Sequence, residues 1–173
     1  MNIKKLMSVA LSGDQITKAT GVTRVVTLSD FKRFTKLSDL LGPQRACVLL
    51  YETADNYGHW CCLFEVNENL VEFFDPYGMM IDHELKYIPD KFLKSKSLNH
   101  TYITKLLYDS KYGNIEWNNH PLQSKQNGVN TCGRHVIVRL NNRKLKLDEY
   151  IEKISKSGYD PDTYVTIVTK NIR

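Results

Sequence analysis

The stretch ACVLLYETADNYGHWCCLFEVNENLVEFFD, Ala46 to Asp75, decides how the chain folds. It holds three apolar runs, ACVLLYE (46–52), GHWCCLFEV (58–66) and LVEFFD (70–75). Turn-rich DNYG separates the first two and NEN the last two. Short runs of this kind joined by tight polar turns predict an antiparallel meander. The middle run is apolar on both faces, which places it inside the sheet.

Working outward, Ser12-Gly-Asp-Gln15 matches a capping box and predicts a short helix ending near Gly21. VTRVVTL (22–28) alternates and is β-branched, so a short strand is expected there. LSDFKRFTKLSDLLG (28–42) reads as helix-prone turns. Beyond the meander, Asp82 and Pro89-Asp90 are helix-start signals, and TYITKLLYD (101–109) fits a strand or a short helix. GNIEWNNHPLQSKQNGVN (113–130) reads as a polar loop. LDEYIEKISKSG is an amphipathic helix closed by Gly158. The tail from Tyr159 has a helix start at Asp160-Pro161 but a β-branched body, which leaves its type open. The expected class is α+β, a central mixed or antiparallel sheet with helices packed around it.

The 173 residues, 42% hydrophobic and 25% charged, suit one globular domain spanning 1–173, expected to be a monomer. LMSVAL near the N-terminus is shorter than a secretory apolar core, and no apolar run approaches a membrane span. Cys47, Cys61, Cys62 and Cys132 form no CxxC pair, which argues against a disulfide framework and a structural zinc site. Free thiols in a reducing intracellular compartment follow, rather than secretion. The net charge is +5, with lysines gathered in Lys86 to Ser97 and basic residues in Arg139 to Lys146. These are solvated faces or the footprint of an acidic partner such as DNA, although no nucleic-acid-binding motif is present.

The chemistry centres on QNGVNTCGRH, Gln126 to His135. A cysteine attacks only as its thiolate, so it needs a histidine, a helix N-terminus, or both. Val136, Ile137 and Leu140 share one helical face with Cys132, which puts Cys132 in the first turn if the segment is helical. Val136-Ile137-Val138 argues locally for a strand. Among the histidines, His59 begins the central strand, His120 precedes Pro121 in a loop, and His135 would project away from Cys132. An imidazole needs an orienting acceptor. Asp75 ends the next strand, sixteen residues on, and an antiparallel turn brings such positions together. Metal catalysis is poorly supported: of His59, Cys61 and Cys62, only His59 and Cys61 share a face.

GHW, then FFDPYG, then QNGVNTCG resembles the adenovirus-type and SUMO-protease-like cysteine proteases over about residues 46 to 140. The resemblance implies a papain-like or adenain-like fold with the nucleophile at a helix N-terminus. It implies Cys132 as nucleophile, His59 as general base and acid, Asp75 orienting His59, and Gln126, six residues before Cys132, donating to the oxyanion. Gln123 is a second oxyanion candidate at a different spacing. Trp60 lines the substrate groove or packs in the core, and Gly133 allows close approach of substrate. The short basic chain is most similar to the maturation proteases of adenoviruses, virophages and Polinton-type elements, which process capsid and core precursors after Gly-Gly or Gly-X. That similarity implies a polypeptide substrate, no cofactor, an activating peptide or DNA as possible partners, and a place in the host cytoplasm or viral factory and the virion. The rivals are a ubiquitin- or SUMO-like deconjugating isopeptidase, an acetyltransferase, and a non-enzymatic basic nucleic-acid-binding module.

Overall fold

The computed structural model describes residues 2–98 and 101–172. Met1 and Arg173, the ends of the expected 1–173 domain, lie outside the described residues. The meander is present as β2 (Ala46–Ala54), β3 (Tyr57–Asn67) and β4 (Leu70–Phe74). β1 (Val25–Thr27) adds parallel to β2, and β5 (Asn114–Trp117) adds parallel to β4. The order β1-β2-β3-β4-β5 makes a mixed five-stranded sheet with β3 at its centre.

β5 lies within the segment read as a polar loop. NIEW is too short to carry a period against its polar surroundings. The unpaired edge of β4 recruits it, and the ladder closes with Asn114 N donating to Asn69 O at 3.0 Å and Asn118 N to Phe73 O at 3.3 Å.

Both faces of the sheet are covered. On one, Val48, Leu50, Cys62, Phe64 and Phe74 pack under α2 (Gly13–Thr20), α6 (Cys132–Asn141), α7 (Leu147–Ser155) and α8 (Pro161–Val168). On the other, Cys47, Leu49, Cys61, Leu63 and Phe73 pack under α3 (Leu37–Leu41), α4 (Asp90–Lys96) and α5 (Tyr102–Tyr108). Short 3-10 turns over Leu28–Arg33 and His83–Tyr87 complete this second layer. Adjacent Cys61 and Cys62 therefore serve opposite cores, as strand alternation requires. A short α1 (Ile3–Met7) leans on α8. No helix among the described residues is long and apolar enough to cross a membrane.

Burial settles the ambiguous segments. α6 forms despite Val136-Ile137-Val138 because every residue from Cys132 to Leu140 is buried, so packing overrides local preference. The tail is helical from Pro161, with the Asp160 side chain accepting from Thr163 N at 3.0 Å. Asp82 is not the side-chain cap it resembles. At φ +59° its carboxylate turns inward, accepting from Tyr51 Oη at 3.1 Å, Thr104 N at 2.9 Å and Thr104 Oγ1 at 2.8 Å.

The basic run 139–146 is not wholly a solvated face. Arg139 is fully buried and grips Glu72 of β4 through two hydrogen bonds, 2.7 and 2.6 Å. It also donates to Asn142 O and Leu145 O and lies over the Phe64 and Tyr150 rings. One positive charge is thus cancelled inside the core, and α6 is pinned to the sheet.

Candidate active site

Register brings the first two groups together. Cys62 pairs with Phe74, so continuing the ladder sets Asp75 against Cys61, with His59 diagonal on the same face. His59 Nε2 meets Asp75 Oδ1 at 2.8 Å. Asp75 is fully buried, and its Oδ1 also accepts from Tyr77 N at 2.7 Å. The Tyr77 ring stacks on His59 with centroids 4.3 Å apart and planes 15° apart. The imidazole is held both in its plane and along its edge.

Cys132, the first residue of α6, lies within hydrogen-bonding reach of His59. Nε2 is taken by Asp75, which leaves Nδ1 as the ring atom for the thiol. Burial disfavours the charged ring, but the hydrogen bonds to Asp75 and Cys132 outweigh it and raise His59 to about 10. An imidazolium held this firmly stabilises a neighbouring thiolate, and the first-turn N–H groups of α6 add to the same field.

Burial pushes Cys47, Cys61 and Cys62 well above the usual thiol range, so they remain protonated core residues. One grouping among the described residues has metal-like spacing, His59, Cys61 and Asp75, whose ligand atoms lie within 4.8 Å of one another. Its His59–Asp75 edge is already spent on a hydrogen bond.

These groups open onto a cleft of about 650 Å³. His59, Trp60, Tyr77, Glu84, Gln123 and Cys132 line it, together with the 10–14 segment. Trp60 lines the cleft, and its Nε1 donates to Leu11 O at 2.9 Å.

Two sequence expectations are corrected here. Gln126 is exposed and lines a separate groove with Ile3, Met7 and Tyr159. Gln123 occupies the cleft instead, 4% exposed, with Oε1 buried and unpartnered and Nε2 donating weakly to Val129 O at 3.4 Å. The cause is the path of the loop. Leu122 N and Gln123 N both donate to Pro76 O at 2.9 Å, and Asn118 Nδ2 bridges Asp75 O and His120 O. This clamps 118–123 against the Asp75 turn, and Gly78, at φ +74°, permits it because a Cβ there would lie 2.8 Å from the His120 carbonyl carbon. The chain then leaves the cleft. Ser124 N donates to Asp162 Oδ2 at 2.8 Å, and Asn130 N to Met7 O at 2.8 Å. Counting back from the cysteine misses that excursion.

Gly133 is the second correction. A Cβ there would meet Leu11 Cβ at 3.2 Å and Ile16 Cδ1 and Trp60 Cδ1 at 3.3 Å. Its smallness lets α6 close onto α2 and Trp60; it does not face the cleft.

His135 turns away from Cys132, as expected, and its Nε2 contacts Asp162 Oδ1 at 3.0 Å. Burial holds this ring below its ordinary value and therefore neutral. Asp162 also accepts from Thr131 Oγ1, tying the residue before Cys132 to α8. Tyr77 was within reach of the sequence, inside FFDPYG. Glu84 and Asn118 carried no local signal.

A cysteine at a helix N-terminus, a histidine against it and a buried aspartate behind the histidine define a thiol-histidine-carboxylate site. The chain belongs to the family of Uncharacterized protein V9 of Sputnik virophage, to which it is 35% identical over 173 residues, covering 96% of this chain and 98% of that one. No protein-family model matches it. Among solved structures it is similar to the ASFV pS273R protease, with a TM-score of 0.46 and 15% identity over 94% of this chain and 67% of that one. It is also similar to the central domain of the uncharacterized Lpg1148 protein from Legionella pneumophila, with a TM-score of 0.35 and 16% identity over 91% of this chain and 86% of that one.

Proposed function

We propose that this protein is a cysteine endopeptidase. The observation that carries the reading is His59, held by the buried Asp75 at 2.8 Å and in reach of Cys132 at the start of α6, with His59 and Cys132 opening on one cleft. The Cys132 thiolate adds to the scissile carbonyl carbon, and the resulting oxyanion accepts from the Gln123 side-chain amide and an N–H of the first turn of α6. His59 gives its proton to the leaving amine as the carbon–nitrogen bond breaks. It then takes a proton from the water that hydrolyses the acyl-enzyme.

The preference for small residues beside the scissile bond rests on the resemblance to maturation proteases. Kinship with a virophage protein and the resemblance to maturation proteases make capsid or core precursors the substrate class, processed after Gly-Gly or Gly-X. Four unpaired cysteines suit a reducing compartment. The exposed Lys86, Lys91 and Lys94 are the surface for an acidic partner, DNA included.

The test is cleavage of a peptide library with glycine or bulky residues before the scissile bond, using wild type and Cys132→Ala. Cleavage after glycine that Cys132→Ala abolishes supports the reading. Equal cutting of bulky sequences removes the specificity, and activity that survives Cys132→Ala removes the mechanism. Capture by a ubiquitin-like C-terminal electrophile in preference to such peptides moves the substrate to an isopeptide.

A further inference from the structure

Two buried carboxyl oxygens beside the cleft lack a donor among the described residues: Asp75 Oδ2 and Glu84 Oε1. They belong to carboxyl groups that lie within hydrogen-bonding reach of each other. Two carboxylates in contact cannot both ionise without cost, and neither supplies a donor. One shared proton removes both problems. Asp75 Oδ1 is already committed to His59 Nε2 and Tyr77 N, so Oδ2 is the atom whose partner fixes the remaining rotation of the carboxylate.

We propose that Glu84 is a positioning residue: as the neutral acid it donates its proton to Asp75 Oδ2 and locks the carboxylate that orients His59. The proposal deepens the cysteine-protease reading and rests on it. Glu84 is 6% exposed and sits on the 3-10 turn His83–Tyr87, which the Asp82 hydrogen bonds to Tyr51 and Thr104 hold in place. The groups that face it are His59 and Cys61 from β3, Asp75 and Tyr77 from the turn after β4, and Lys125 from the following loop. Burial pushes the Glu84 carboxyl up. His59 opposes that shift, the Asp75 charge and hydrogen bond reinforce it, Lys125 opposes it, and the result lies at about 7. Above that pH the proton goes to solvent, the bond to Oδ2 is lost, and two like charges stand side by side. The charged His59 ring and Lys125, whose Nζ lies 5.4 Å from the Tyr77 ring centre, then compete with Asp75 for the Glu84 carboxylate.

The experiment follows the second-order rate of Cys132 alkylation by iodoacetamide from pH 5.5 to 9 in wild type, Glu84→Gln and Glu84→Met. Glutamine keeps the shape and a permanent donor; methionine keeps the length without one. The expected wild-type rate falls by roughly three- to tenfold through neutrality, as one orienting hydrogen bond is lost. Glu84→Gln shows no such step, and Glu84→Met stays low throughout. Superimposable wild-type and Glu84→Gln profiles, or a wild-type rate that climbs relative to Glu84→Gln, overturn the inference. A Cys132 no more reactive than a free thiol, and indifferent to His59→Ala, overturns the protease reading itself, so the two failures are told apart. If Glu84→Met does not fold, the comparison with Glu84→Gln decides alone.

Discussion

At the residue scale, the site is a chain of dependencies. Asp75 holds His59, His59 holds Cys132, and each link has its own consequence. Asp75→Asn removes a charged acceptor from a buried ring, so His59 should titrate well below about 10. Histidine NMR checks this, and an unchanged titration contradicts it. The oxyanion assignment separates two glutamines three residues apart. Gln123→Ala should lower kcat by roughly 10²–10³-fold, the usual cost of one oxyanion donor. Gln126→Ala, altering an exposed side chain in another groove, should leave kcat within about twofold. The meeting of His59 and Asp75 was legible in the sequence because strand alternation and a tight turn fix which positions meet, whereas Cys132 stood out only through the joint motif of GHW, FFDPYG and QNGVNTCG. Gln123 was not, because its place depends on Pro76 and Asn118 gripping the loop. Glu84 was not, because nothing in HELKY marks a buried acid.

At the scale of elements, the helix that presents Cys132 is fixed by the Arg139–Glu72 pair at its far end. Breaking a buried ion pair from one side leaves a desolvated charge, so Glu72→Ala should destabilise by about 3–5 kcal/mol. Thermal unfolding measures this; a loss below about 1 kcal/mol would mean the pair is not what pins α6. The meander, the capped α2 and the α7 helix were readable because their periods agree with their burial. α6 was readable only through the apolar spacing at Cys132, Val136 and Leu140, against the preference of Val-Ile-Val. β5 was unreadable, since the four residues NIEW become a strand only beside the open edge of β4. The run RLNNRKLK shows the limit of charge counting: Arg139 serves the core.

For the whole molecule, two buried cores on one sheet give the rigidity that lets a charged pair exist at 8% exposure of His59. That pair links stability to pH. The folded His59 is raised to about 10 from an ordinary 6.5, so its contribution is full below 6.5 and lost as pH rises through about 10. The difference in melting temperature between wild type and His59→Gln should therefore narrow across that window; a gap that widens with pH contradicts the assignment.

The central claim, that Cys132 is activated by His59, is tested most directly by alkylation with iodoacetamide at pH 7 followed by peptide mapping, on wild type and His59→Ala. The expected result is fast labelling confined to Cys132 and slowed by roughly 10²-fold or more without His59. Slow labelling spread over Cys47, Cys61, Cys62 and Cys132 alike, and unaffected by His59→Ala, would contradict it.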